Sequence, residues 1–317
     1  MVCEEVRDAV RAGGLFARDR PIVAMLSGGR DSICLLDVAV TLLGSGAVGA
    51  LHVNYGLREQ ADADELHCAA VCEQLGVELE IVRAQRDPDG APPAGNVQAW
   101  ARELRYTAAT GIAETRDALI ATGHTASDQV ETILYRLAAS PGRRALLGMV
   151  TAEGRLIRPL IGVTREQTAA YCEERGLSWR EDESNQDERY ARTRVRHGLL
   201  PALRAVHPAA EANVLRTAAL LREETELLEE LVSAELAGRS HIAVSRLREL
   251  PGALARLVVI RLAEQASGSY VPQAGERVEE ILALGRRGGR AELHVGGQAG
   301  AIVEDGVLSM KRLPPRG

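Results

Sequence analysis

Aromatic side chains are scarce: one Phe, two Trp and six Tyr make up 3% of 317 residues. Single-stranded nucleic acid is commonly gripped by rings in series, so stacking recognition is not advertised. Positive charge is not in excess either. Lys and Arg number 38 against 44 Asp and Glu, a formal charge of −6, which argues against a generally basic nucleic-acid binder and leaves room only for a local basic patch. The five cysteines (Cys3, Cys34, Cys68, Cys72 and Cys172) are odd in number, scattered and without a Cys-x-x-Cys pair. That speaks against a zinc site or a disulfide framework and for reduced thiols. No apolar run approaches the length of a membrane span, and the first residues carry Glu4, Glu5 and Asp8 instead of the cationic start of a signal peptide. The expectation is a cytoplasmic protein with no membrane partner.

What is present is a globular composition, 46% apolar and 26% charged, long enough for two domains. Apolar strands alternate with amphipathic helices at short spacing: a helix over 3–17, strands over 22–26, 48–54, 77–82 and 118–122, and helices over 33–43, 61–75 and 97–113. This is the pattern of βαβ units, so the fold class is α/β with a doubly wound parallel sheet. A helix begins near Thr164, with Glu166 and Gln167 placed to support its start. One long helix spans about 208–237, two more follow, and Asp305-Gly306 marks a two-residue hairpin turn. The chain therefore divides into residues 1–205 as the catalytic domain, 206–250 as a helical linker and 251–317 as a small α+β domain. Three prolines and two glycines between 87 and 95 make a loop near the site.

The stretch Ser27-Gly28-Gly29-Arg30-Asp31-Ser32 lies between the first strand and its helix. Two glycines let backbone approach an anion closely, and the helix that follows aims unpaired N–H groups at it. Ser27 and Ser32 add hydroxyls. Asp31 beside a polyphosphate makes sense chiefly with Mg²⁺ between them. No lysine stands where a Walker loop needs one. A plain strand-to-helix turn, with Asp31 complementing the helix dipole, is the structural alternative.

Ligands in such sheets bind beyond the carboxyl ends of the strands, so residues 27–32, 52–58 and 123–131 are expected to face one crevice. Asp128 and Glu131 are three apart at a helix start and share a face. They could hold Mg²⁺, receive an ammonium group or accept a proton, or they could simply favour the first turn. His124 could orient a substrate or pair with backbone. Arg189, Arg192, Arg194, Arg196 and His197 crowd into nine residues. The cluster is either a solvated face, neutralised by Asp182, Glu183, Asp187 and Glu188, or a grip on a phosphodiester backbone. Arg102, Arg105, Arg143 and Arg144 are further candidates.

Ser-Gly-Gly-x-Asp-Ser resembles the signature of the PP-loop ATP pyrophosphatases. His52-Val-Asn-Tyr-Gly-Leu-Arg58, Ala101-Arg102-Glu-Leu-Arg105-Tyr106, Gly123-His124, Asp128-Gln129, Glu131-Thr132, Arg158-Pro159-Leu160, Glu181-Asp182-Glu-Ser184-Asn185 and Arg192-Thr-Arg194-Val-Arg196-His197 extend the likeness. In that order they resemble the tRNA(Ile)-lysidine synthetase family over roughly 20–205. Ser127, Gln98, Tyr55, Thr193 and residues 139–142 depart from the family's commoner residues.

The resemblance implies ligation of free L-lysine, through an adenylated intermediate, to C2 of the wobble cytidine of the isoleucine tRNA with a CAU anticodon. ATP is the co-substrate, Mg²⁺ the cofactor, and AMP and pyrophosphate the products. It implies Asp31, Asp128 and Glu131 as catalytic residues, with Asp31 at the metal. ATP falls to Ser27, Gly28, Gly29, Arg30, Asp31, Ser32 and His52, and tRNA or lysine to Arg102, Arg105, His124, Arg192, Arg194 and Arg196. A homodimer is compatible with it. A PP-loop tRNA thiolase, a glutamine-fed amide synthetase and a nucleotide-binding module without chemistry are the competing readings.

Overall fold

The computed structural model describes residues 1–16, 20–57, 60–84, 97–139, 142–180, 191–286 and 289–314. Arg58, the 87–95 loop, Ser140, Pro141 and the 181–189 stretch of acidic residues and Arg189 lie outside the described residues. The chain forms two compact units, Met1–Ala218 and Ala219–Gly317.

In the first unit α1 (Val2–Ala12), β1 (Ile22–Met25), α2 (Arg30–Leu43), β2 (Val48–Asn54), α3 (Ala61–Leu75), β3 (Glu78–Arg83), α4 (Val97–Thr115), β4 (Leu119–Ala121) and α5 (Ala126–Ala139) follow one another. Then come α6 (Arg143–Leu146), β5 (Ala152–Glu153), β6 (Leu156–Ile157), α7 (Arg165–Arg175), α8 (Ala191–Arg194), a π-helical turn (Val195–Leu199) and α9 (Leu200–Val206). The sheet order is β3-β2-β1-β4-β6-β5, parallel except for β5. All residues of β1 and β2 are buried, as continuous apolar runs covered on both faces must be. Successive β1 side chains divide between two cores. Ile22 and Ala24 pack with α1, α2, α3 and α7, whereas Val23 and Met25 pack with Ala109 and Ala113 of α4.

This division fixes where a ligand can sit. Helices α2 and α3 cover one face and α4 the other, so the winding reverses between β1 and β4. The β5–β6 hairpin is the part of the sheet absent from the expected strands. It turns at Gly154 (φ +58°), and strands of two residues carry no readable alternation. Helix α7 is clamped to α2 by the buried Asp37, which accepts from Tyr171 Oη at 2.6 Å and from Arg175 Nε at 3.0 Å.

α10 (Ala210–Leu236) crosses the division between units. The second unit continues with β7 (His241–Ala243), α11 (Val244–Glu249), α12 (Gly252–Ser267), a 3-10 turn at Pro272–Arg277, α13 (Val278–Leu284), β8 (Ala291–Gly296), β9 (Ala299–Glu304) and β10 (Val307–Arg312). Its antiparallel sheet runs β7-β10-β9-β8. Asp305 (φ +49°) and Gly306 (φ +76°) make the β9–β10 turn, the positive-φ pair that a tight hairpin needs. Val232, Leu236, Ile242, Val244 and Leu247, from the stretch read as a linker, pack into this unit's core.

Candidate active site at the switch point

The loop leaving β1 is held by its own hydroxyls. Ser32 Oγ accepts from Ser27 N at 3.1 Å and donates to Gly29 O at 2.8 Å, and the two serine hydroxyls lie 3.1 Å apart. Gly28 takes φ +83°, which a side chain would strain. Gly29 stands at the N-cap of α2 with no side-chain cap, so the helix offers its first amides outward. His52, buried in β2, bonds through Nδ1 to Leu26 O at 2.9 Å. A carbonyl partner requires the Nδ1–H tautomer, and the imidazole thus fixes the strand end from which the loop springs. Asn54 orders the next mouth, donating to Asp62 at 3.0 Å and Glu65 at 2.9 Å and accepting from Gly56 N at 2.9 Å.

The β1 and β4 mouths touch. A Cβ on Gly123 would stand 2.9 Å from Asp31 O and 3.1 Å from Ser32 N, so only glycine lets the two loops close on each other. Asp31 takes a hydrogen bond from Thr168 Oγ1 of α7, with Arg165 Nε and Arg30 Nε each 3.7 Å away. Burial pushes its pKa up, and the Thr168 bond and Arg165 offset this only in part.

At the start of α5, Asp128 Oδ2 accepts from Thr125 N at 2.8 Å and Thr125 Oγ1 at 2.9 Å, while Asp128 N donates back to Thr125 Oγ1 at 3.3 Å. This reciprocal cap closes the helix end. Asp128 Oδ1 then accepts from Arg165 Nη2 at 3.0 Å and Arg192 Nη2 at 3.1 Å. Glu131, 0% exposed, accepts from Arg165 Nη1 at 3.1 Å, Arg192 Nε at 3.0 Å, and Arg196 Nε at 2.6 Å and Nη2 at 2.9 Å. Arg192 and Arg196 sit four apart on the helix that continues through the π-helical turn, so both reach one carboxylate. For both acids burial is the largest influence and would raise the pKa. The arginines outweigh it and hold both below the ordinary carboxylate range.

The arginine cluster therefore has a place that neither sequence-based alternative foresaw. Arg192 and Arg196 are paired with the two candidate catalytic acids, and Arg194 is exposed. His124 accepts from Thr122 Oγ1 or donates to it through Nδ1 at 2.8 Å. Burial, reinforced by Arg158, Arg192 and Arg105 against Asp128, pulls its pKa down to about 4, which leaves it neutral at physiological pH. Arg102 and Arg105 stand over the Tyr106 ring, at 4.7 and 5.8 Å from its centroid. Tyr55 meets Trp100 edge-on with centroids 6.1 Å apart.

Arg165, Thr168 and Thr125 were not among the sequence candidates. Arg165 and Thr168 share one face of α7, and Thr164 and Gln167 form the capping box that starts this helix. An arginine in a first turn opposes the helix dipole, and that misplaced charge was the available signal. Thr125 was legible as a Thr-x-x-Asp cap. Ser127, a departure from the family's commoner residue, accepts from Arg165 N at 3.2 Å. Among the described residues no group of three or more His, Cys, Asp or Glu could hold a metal ion. A single carboxylate at a phosphate loop does fit Mg²⁺, which takes one or two protein carboxylates and draws other ligands from phosphates and water.

A glycine turn feeding an uncapped helix at the reversal of a doubly wound sheet defines a nucleotide-binding α/β protein of the anion-cradling kind. The family model described as a PP-loop domain matches residues 5–203. The chain belongs to the PP-loop domain family. It is 41% identical over 217 residues to a tRNA(Ile)-lysidine synthase of Pseudomonas fluorescens, covering 66% of this chain and 48% of that one. A protein of the same name from Dehalococcoides mccartyi is 32% identical over 304 residues, covering 89% of this chain and 64% of its own. The chain spans about half the length of the first curated relatives it matches. A solved U34-tRNA thiolase NcsA from Methanococcus maripaludis superposes with TM-score 0.59 at 16% identity, over 70% of this chain and 79% of that one, a likeness of fold. Among the described residues no helix is long and apolar enough to cross a membrane.

Proposed function

We propose that this chain carries the activity for which its relatives are named: ATP-dependent ligation of L-lysine to the wobble cytidine of the CAU-anticodon isoleucine tRNA, in the cytoplasm. The carrying observation is the contact between the two mouths, where Gly123 lies against the Asp31 turn and Arg165 touches Asp31, Asp128 and Glu131. An anion cradle and an acidic pair share one cationic neighbour, so a nucleotide phosphate and an amine can be brought to adjacent subsites.

In this reading the amides at the start of α2 and Ser27 bind the ATP phosphates, and Asp31 would hold Mg²⁺ that neutralises their charge. The cytidine O2 attacks the α-phosphorus and pyrophosphate leaves with the bridging electrons. The lysine ε-ammonium gives a proton to solvent, and the free amine attacks C2 with its lone pair. The C2–O bond breaks, AMP departs with that electron pair, and a second proton leaves the new C2–N nitrogen to solvent. Asp128 and Glu131 have depressed pKa values, which makes them weak bases and suits them to holding an ammonium group electrostatically. The amine must then compete with Arg192 and Arg196 for the carboxylates, and RNA phosphates are natural alternative partners for those arginines. Tyr55, Trp100 and Tyr106 with Arg102 and Arg105 offer an aromatic and cationic margin to the RNA.

The thiolase alternative is not favoured. The five cysteines are free, buried and without a Cys-x-x-Cys spacing. Labelled lysine, ATP and a CAU-anticodon transcript test the proposal. The expected result is lysine incorporation that requires the wobble cytidine, with AMP and pyrophosphate released in equal amounts. Incorporation indifferent to that cytidine overturns it.

A further inference from the structure

Arg158 is the charged group the site leaves unaccounted for. It follows β6 and is 6% exposed. Its backbone is fixed on both sides, by Arg158 N to Thr151 O at 2.9 Å and Ile161 N to Arg158 O at 3.2 Å, and Leu160 is fully buried next to it. The guanidinium donates once, from Nη1 to Val150 O at 2.7 Å. Its Nε is buried without a partner, and among the described residues no carboxylate pairs with it. A guanidinium carries five N–H donors and cannot shed its charge. A buried cation with one carbonyl for company is costly unless an anion completes it.

The surroundings say where that anion would lie. Ile157, the residue before Arg158, accepts from Thr122 N at 3.1 Å, and Thr122 Oγ1 lies 2.8 Å from His124 Nδ1, so Arg158 leaves β6 beside the His124 mouth, and its electrostatic influence on that imidazole agrees. Strand order agrees: β6 is two strands from β1, about 10 Å at the usual spacing. In the sheet, β4, whose mouth carries the acidic pair, lies between β1 with the phosphate loop and β6 with Arg158. A molecule with an ammonium group at one end and an oxyanion at the other matches the acidic pair plus Arg158.

We infer that Arg158 is a binding residue for a small oxyanion, the α-carboxylate of the amino acid, at a subsite separate from the phosphate loop. The neutral His124 walls that subsite without competing for the anion. Holding the carboxylate there leaves the far amine of a diamino acid as the end that reaches Asp128 and Glu131. This rests on the lysine reading above.

The test compares L-lysine with cadaverine, which keeps the chain and the amine but lacks the carboxylate, in the wild-type chain, Arg158→Gln and Arg158→Lys. Incorporation and calorimetric binding of both amines are measured, together with the KM for ATP. Wild type is expected to prefer lysine by about tenfold or more, the worth of one charge-assisted hydrogen bond. Arg158→Gln should collapse that preference through the lysine KM with the ATP KM unmoved, and Arg158→Lys should restore part of it, since it keeps charge and loses the planar fork. The wild-type comparison needs no variant to fold. Equal use of lysine and cadaverine by the wild type overturns the inference, as does a rise in the ATP KM in place of the lysine KM, which would assign the guanidinium to a phosphate. Lysine incorporation with an unchanged preference in Arg158→Gln sinks the inference alone, whereas absence of lysine binding and incorporation in the wild type sinks the lysine reading with it.

Discussion

Two helices begin side by side at the reversal of the sheet, and they end their first turns in opposite ways. Helix α2 starts at Gly29 with no side-chain cap, while α5 starts at Thr125 with a closed reciprocal cap through Asp128. The first is an open donor surface, suited to an anion. The second has satisfied its own end and turns Asp128 Oδ1 and all of Glu131 toward Arg165, Arg192 and Arg196. One topology thus supplies an anion cradle and, a strand away, an acid pair whose charge is already matched. The difference lies in three residues, since glycine caps one helix and Thr-x-x-Asp the other.

The largest effect is expected where that matched charge is broken. Glu131→Ala leaves three guanidinium groups around an empty, fully buried position. Removing one partner of a buried ion pair costs about 3–5 kcal/mol, and chemical denaturation should show a loss of that size. Asp31→Ala, at the open mouth, removes a carboxylate whose pKa burial has raised and should cost far less stability. Similar losses for the two would erase the contrast between the mouths.

Acid should separate the regions next. His124 has a folded pKa of about 4 against an ordinary 6.5. Between those values the unfolded chain binds the extra proton, so stability falls as pH drops from 6.5 toward 4, by about 2–3 kcal/mol for this group. Asp128 and Glu131, depressed by their arginines, lose their contribution only below their ordinary values. Asp31, raised by burial, acts with the opposite sign. Denaturation midpoints across pH 4–7 should therefore slope in the wild type and flatten in His124→Gln. An unchanged slope in the variant removes His124 as the cause.

The order and spacing of apolar runs were enough to read the parallel sheet, because strands buried on both faces must be apolar throughout, as β1 and β2 are. The hairpin at β5–β6 escaped because two residues have no period. The six-residue loop and the Asp128–Glu131 pair were legible as motifs. Their pairing with α7 was not, since Arg165 and Thr168 are far from the loop in sequence and reach the site through the packing of α7 on α2, where Asp37 bonds Tyr171 and Arg175. The arginines were read either as a solvated face or as a grip on tRNA or lysine. Helical spacing says which residues share a face but not which neighbour that face meets, and here it meets Glu131.

The smallest effect sharpens the comparison most directly, because it converts the closed helix end into an open one. Thr125→Ala removes the hydroxyl that accepts from Asp128 N and donates to Asp128 Oδ2, and leaves the Thr125 amide bond to the same carboxylate. Losing an N-cap hydroxyl costs about 1 kcal/mol, and Thr125→Ser should recover most of it. The arginine contacts are made by Asp128 Oδ1 and Glu131, the atoms that Thr125 does not touch. Thr125→Ala should therefore lower the denaturation midpoint slightly while preserving the depressed Asp128 pKa, followed by carboxylate titration in NMR spectra. A pKa rising to the ordinary range would mean that the cap, and not the arginines, sets the charge of the second mouth.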